Sequence, residues 1–256
     1  LKVMFLNMGR FIQDLAQRSA FEVGHIYVPN EFVQISSIMP QKRNPVPIEH
    51  MRLIASLSSG HCDTIINTMH NTPFTDMNDS ETEVQRAGHQ AFESGSRLLL
   101  LLTDFINVVQ IDEEKVMKDI GKSCATITEV ADSIARIEGE SFKIAHEIAG
   151  DMAKRVTADE ITLEDFVYKE FQDIYRDHTG METNITIEKL KEIGSPDYFI
   201  AVRKIIGGPA LPAFEASLEK YCNIALKQSD ENLTFSRRLI FARELLTAAV
   251  KKLRVK

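Results

Sequence analysis

Ser36-Ser37-Ile38-Met39-Pro40-Gln41-Lys42-Arg43-Asn44-Pro45 is the stretch on which the reading of this chain turns. It closes a long connection, residues 22–45, between two helical segments. Before it, apolar residues recur at three and four (Phe5, Met8, Ile12, Leu15), which predicts one helix from Leu1 to about Phe21, ended by Gly24 and Pro29. After it, Pro45 and Pro47 suit a first helical turn, and the pattern runs on to about His70. Thr72-Pro73-Phe74-Thr75-Asp76 interrupts. A third long helix then spans roughly Asp79 to Val109, with Asn78 or Asp79 as its cap.

Three long helices separated by breaks predict a bundle. Beyond Ile111 the segments shorten: Asp112–Ile120, Thr126–Glu138, Ser141–Val156, Thr162 to about Tyr175, and Ile187–Ile193. Gly207-Gly208-Pro209 is a firm break, followed by helices from Pro212 to about Gln228 and from Thr234 to about Leu253. Period-two runs of Val, Ile and Thr are scarce. The expectation is an all-α protein. Residues 1–111 contribute the long-helix bundle and carry the loop 34–45, and residues 112–256 form a smaller helical domain with a tail helix.

Composition narrows the partners. The chain has 256 residues, 44% hydrophobic and 26% charged, with a net charge of −7. This is ordinary globular composition, with no general attraction to nucleic acid or anionic membrane. No run of 18 apolar residues occurs, so no transmembrane helix is expected. Cys62, Cys124 and Cys222 are far apart and odd in number, as reduced thiols of a cytoplasmic protein would be. The histidines show no HxxxH or HExxH spacing, so no metal site is expected. The opening Leu1-Lys2-Val3-Met4 reads as the middle of a helix, and we expect a portion of the protein upstream of it.

In an acidic protein, an anionic ligand needs a locally basic site. Residues 36–45 offer one. Lys42 supplies a point charge, Arg43 a bidentate donor, and the Asn44 amide can donate to an oxyanion. Pro40 and Pro45 stiffen the backbone that carries them. By composition alone, a solvated surface loop remains the commoner reading of such a stretch.

The whole string resembles the signature of the fumarase/aspartase superfamily, G-S-S-x-M-P-x-K-x-N-P. Seven of its eight defined positions are matched in register, by Ser36, Ser37, Met39, Pro40, Lys42, Asn44 and Pro45. The Met-Pro-Gln-Lys form is similar to the argininosuccinate lyase branch, and the Lys-Arg-Asn-Pro ending also resembles adenylosuccinate lyases and cycloisomerases. Asp14-Leu15 through Gly24, Ala145-His146-Glu147-Ile148 with Gly150, and Gly207-Gly208-Pro209-Ala210 resemble further segments of the argininosuccinate lyases. The likeness covers residues 1 to about 220, and the rest reads as an additional helical tail.

The resemblance implies a fumarase/aspartase-type bundle and a C–N lyase that releases fumarate from a succinyl-amine, argininosuccinate first among them. The substrate is a small dicarboxylate and no cofactor is implied. It also implies a homotetramer whose sites combine segments from three subunits, of which this chain supplies one. Ser36 maps to the general base, with Ser37 as the adjacent alternative. Lys42 and Asn44 map to the residues that hold the substrate carboxylate, and Met39, on the same loop, is a further candidate substrate contact. The superfamily's acid-side histidine belongs to an earlier segment that this chain lacks.

Two departures stand out. Ile35 occupies the position of the signature glycine, so the loop either adopts an ordinary backbone or closes differently. Where argininosuccinate lyases read roughly P-x-x-Y-N-K-D-L-Q-E-D-K, this chain has Pro73 to Val84, with Asp76 at the Tyr, Glu81 at the Gln and Val84 at the Lys. Asp76 and Glu81 are candidate substrate contacts that would suit a more cationic leaving group. They equally suit an acidic helix start favoured by the helix dipole. Two other functions therefore stay open: a related amine–fumarate lyase, and a catalytically silent structural protein on the same fold. His146 and the tail cations Arg237, Arg238, Lys251, Lys252, Arg254 and Lys256 read as packing and solvated surface.

Overall fold

The computed structural model describes residues 1–76 and 78–254, and within them the chain is all-α, with ten helices and two short strand pairs. Met77, in the stretch compared above, and Val255 and Lys256, at the end of the expected 112–256 domain, lie outside the described residues. Two compact units divide the chain, Leu1–Asp119 and Ile120–Lys256.

The first unit is built on α1 (Lys2–Ser19), α2 (Val46–Met69) and α3 (Glu81–Val108). Phe5, Ile12, Ile48, Met51, Leu98 and Phe105 interlock in its core. Each such side chain contributes about 1.5–3 kcal/mol by leaving water. Gly95 permits the closest approach: a Cβ there would stand 2.5 Å from the Phe5 ring. Buried Ser58 is satisfied by donating to Ser94 Oγ at 2.7 Å, and Ser94 donates in turn to the Gln90 carbonyl at 2.6 Å.

One end of this bundle is fastened by strands too short for periodicity to reveal. β1 (Ile26–Tyr27) follows α1, and β4 (Gln110–Ile111) follows α3. They pair antiparallel, Ile26 opposite Ile111. The Asp112 N–H then donates to the His25 carbonyl at 3.0 Å. His25 Nε2 lies 2.9 Å from Asp119, which Lys115 also reaches at 3.3 Å. These two partners hold the Asp119 carboxyl below the usual carboxylate range. Residues 110–119, which include the start of α4 (Glu113–Lys122), are thus fastened to the first unit, which runs to Asp119.

In the second unit, α5 (Ile127–Glu138), α6 (Phe142–Asp159), α7 (Tyr168–Thr179) and α8 (Ile187–Gly194) enclose Ile134, Ile148, Met152, Phe171 and Tyr175. Burial pushes the Tyr175 hydroxyl up to about 12. Buried Glu129 accepts from Ser133 at 3.0 Å and from Arg203 at 3.0 Å, and pairs with Arg136. At the Gly207-Gly208 break, a Cβ on Gly208 would stand 2.2 Å from the Arg203 carbonyl oxygen.

Several expectations need correction. The helix read from Thr162 begins at Tyr168. Thr162 Oγ1 instead accepts from the Asp165 N–H at 3.2 Å, a side-chain turn that competes with helix. The first residue before α3 is Ser80, not Asn78 or Asp79. The two tail helices are one, α10 (Leu211–Arg254), because Ser229 to Asn232 is polar but free of Gly and Pro. α9 (Pro196–Ala201) was not expected.

Candidate active site

The signature loop is a β-hairpin. β2 (Gln34–Ile35) and β3 (Arg43–Asn44) pair antiparallel, with Gln34 opposite Asn44 and Ile35 opposite Arg43. Residues 36–42 form its tip, and Pro45 leads into α2. Ile35 is in extended backbone, where a β-branched residue is at ease. Among the described residues, the non-glycines in left-handed backbone are Cys124 and Glu160. Of the two possibilities raised by the missing glycine, the ordinary backbone is the one adopted.

Ser36 is half-buried, and its Oγ accepts from two backbone N–H groups, Ile38 at 3.2 Å and Met39 at 3.0 Å. The Lys42 N–H donates to the Met39 carbonyl at 3.0 Å and closes the tip. Such a turn is a common way to end a strand. It also aims two N–H dipoles at one hydroxyl oxygen, which favours that oxygen's charged form. Ser37 is exposed, and Asn44 is half-buried within the ladder. The Lys42 side chain is exposed and has no hydrogen-bond or ion-pair partner among the described residues.

Arg43 has another task. Its guanidinium donates to the Val28 carbonyl at 2.8 Å and to Asn30 Oδ1, and lies 4.9 Å from the centre of the Tyr27 ring. It therefore ties the hairpin to the preceding loop and leaves Lys42 as the free cation of the tip. Sequence spacing gave no sign of this, since Tyr27 and Asn30 fall outside the signature.

Under the hairpin is a cleft of about 750 Å³, bounded by Tyr27, Met39, Gln41, Lys42, Arg43 and the turn after α1. Met39 and Lys42 line it, whereas Ser36, Ser37 and Asn44 do not. Asp76 and Glu81 are not brought to the hairpin either. They follow α2, whose 24 residues span about 36 Å at 1.5 Å per residue, so they sit at the opposite end of the bundle. Both are exposed. Glu81 is in the first turn of α3, where the dipole favours it, and accepts from Gln85 at 3.0 Å. His146 is exposed and its ring lies 6.2 Å from that of Phe142. The candidate site residues of the first unit thus form two groups, one at each end of α2.

Residues 124–201 match the family model described as argininosuccinate lyase C-terminal. The chain is 50% identical over 237 residues to argininosuccinate lyase 2 of Agrobacterium fabrum, covering 87% of this chain and 47% of that protein. It is 27% identical over 220 residues to the argininosuccinate lyase of Methanothermobacter thermautotrophicus, covering 86% and 47%. The chain spans about half the length of the curated relatives it matches. Among solved structures, a variant of EDDS lyase with bound fumarate superposes with a TM-score of 0.70 at 20% identity, covering 88% of this chain and 45% of that one. EDDS lyase in complex with formate gives 0.67 at 20% identity, covering 86% and 43%. These two likenesses speak for the fold. In sequence, then, the chain is similar to argininosuccinate lyases over half their length, and in fold it is similar to EDDS lyase.

Proposed function

We propose that the chain works in a carbon–nitrogen lyase that eliminates fumarate from a succinyl-amine, with argininosuccinate, giving arginine and fumarate, as the leading substrate. The observation that carries this reading is Ser36 at the hairpin tip. Its Oγ already receives two N–H donors, and Lys42 belongs to the same tip. The proton to be removed lies next to a carboxylate, so its loss places a second charge on that group. A base must meet the proton, and donors must meet the developing charge.

In this reading Ser36 acts as an alkoxide, stabilised by the Ile38 and Met39 N–H groups, and takes the proton. Electrons from that bond form the carbon–carbon double bond, the carbon–nitrogen bond breaks, and the amine leaves. Lys42 and Asn44 hold the aci-carboxylate, Met39 shapes the cleft wall, and Ser37 is the alternative base. Asp76 and Glu81, at the other end of α2, contact the substrate held by another copy. A homotetramer with shared sites, which the resemblance implies, would accommodate that separation. We assign the protein to the cytoplasm from its three widely spaced cysteines.

A second reading keeps the reaction and changes the amine. Asp76 and Glu81 favour it, since they bring acids where the argininosuccinate lyases have Tyr and Gln. Fumarate absorbs in the ultraviolet, so its release from a panel of succinyl-amines by the full-length protein tests both readings. Release from argininosuccinate alone supports the first, and preference for another amine supports the second. No release from any member would leave a silent scaffold and overturn both.

A further inference from the structure

α10 spans 44 residues, yet nearly all of its apolar side chains face solvent. Their spacing is regular. Leu211, Leu218, Ala225, Asn232, Leu239, Leu246 and Leu253 recur every seven residues. Phe214, Tyr221, Gln228, Phe235, Ala242 and Ala249 recur every seven, three positions later. A strict three–four alternation held through the whole helix is the pattern of a coiled-coil seam. Phe214, Tyr221, Phe235, Leu239 and Leu246 on it are each more than half exposed. So long a run of bare apolar side chains calls for a partner.

Charge says which partner. Residues 211–231 carry Glu215, Glu219, Asp230 and Glu231 against Lys220 and Lys227, a net −2. Residues 232–253 carry Arg237, Arg238, Arg243, Lys251 and Lys252 against Glu244, a net +4. A second copy of the same helix laid antiparallel sets each acidic half against a basic half, whereas a parallel copy sets like against like. We propose that α10 pairs with α10 of a second copy of this chain as an antiparallel coiled coil centred between Gln228 and Asn232.

The register follows from the seam itself. With Asn232 facing the partner's Gln228, the two polar seam residues share a layer, and their amides can exchange hydrogen bonds. In that register Leu218 meets the partner's Ala242, and Ala225 meets the partner's Phe235. Leu246 meets the partner's Phe214, and Leu239 meets the partner's Tyr221. Large therefore faces small in the first two layers. The shallow groove beside Ala225, Gln228 and Ser229 is where the partner's Phe235 would enter. Along one edge, Glu215 faces the partner's Arg243 and exposed Cys222 faces the partner's Ser236. The like-charge meeting is Glu231 with the partner's Glu231. Leu226, Leu233 and Ile240 form a second row outside the seam.

The edge pair supplies the test. Ser236→Cys in the full chain places a thiol opposite the partner's natural Cys222, on a helix away from either core. Mild oxidation with a glutathione couple should convert most of the chains to a covalent dimer, and peptide mapping should find Cys222 joined to the thiol introduced at position 236. The unaltered chain should give no such dimer. Adding Leu239→Glu and Leu246→Glu should return cross-linking to the unaltered level, with helix content and fumarate release as checks that both units remain folded. No dimer from Ser236→Cys, like cysteine joined to like, or a link insensitive to the two glutamates would each overturn the proposal.

Discussion

The hairpin 34–45 and the connection 70–80 stand at opposite ends of α2, and they are held in opposite ways. The hairpin has a strand ladder, two N–H groups on Ser36, and Arg43 anchoring it to Val28, Asn30 and Tyr27. In the connection, the Thr75 N–H donates to the Pro73 carbonyl at 2.9 Å, Phe74 is fully exposed, and Asp76 is exposed. The matched signature residues fall on the first, beside the Ile35 departure, and Asp76 falls on the second, with Glu81 and Val84 just after it. A reacting group must be fixed, because small misplacements are costly. In the proposed reading, chemistry and choice of amine are separated along one helix.

Perturbing the anchor should show the largest effect. Arg43→Ala removes the ties to Val28, Asn30 and Tyr27 without touching Ser36. The rate of fumarate release should fall about 100-fold, as for other small misplacements, with little change in the melting temperature. Unchanged turnover would mean that the anchor does not position the hairpin. Next is the bundle that both ends share. Gly95→Ala drives a methyl into the buried Phe5 ring and should cost about 1–3 kcal/mol as overpacking, read by denaturant unfolding of the chain.

At the other end, Glu81→Gln should cost only about 0.3–1 kcal/mol from the lost first-turn charge. Its effect should appear in KM, and differently for cationic and neutral leaving amines. Equal KM changes for all amines would leave Glu81 a helix-start residue. The smallest effect concerns Asp119. Its carboxyl is depressed by His25 and Lys115, so the pairing stabilises the fold above the ordinary value of 3.8 and is lost as pH falls through the lower folded value. Asp119→Asn should flatten the acid side of the melting-temperature profile in that window. An unaltered profile would mean that the pairing adds nothing.

Much of this was legible in the sequence, and the failures are instructive. The long helices of the first unit show themselves because the three–four spacing of Phe5, Ile12 and Leu15 reports a buried face. The hairpin was read as a loop because two-residue strands hold no period. The fastening of 110–119 to the first unit was invisible, since His25 and Asp119 are 94 apart in the chain. The break expected near Gln228 failed because polar residues alone do not end a helix. At the site, the signature named Ser36 and Lys42, while the inward role of Arg43 required Tyr27 and Asn30, which no spacing linked to it. The separation of Asp76 and Glu81 from the hairpin follows from helix length, and the alignment with the family motif had hidden it.

The most direct test of the account is Ser36→Ala in the full-length protein, with fumarate release followed in the ultraviolet and substrate binding measured separately. The account predicts a loss of about 100- to 10,000-fold in turnover, the range for a positioned general base, with binding and fold retained. Near-normal turnover would contradict it.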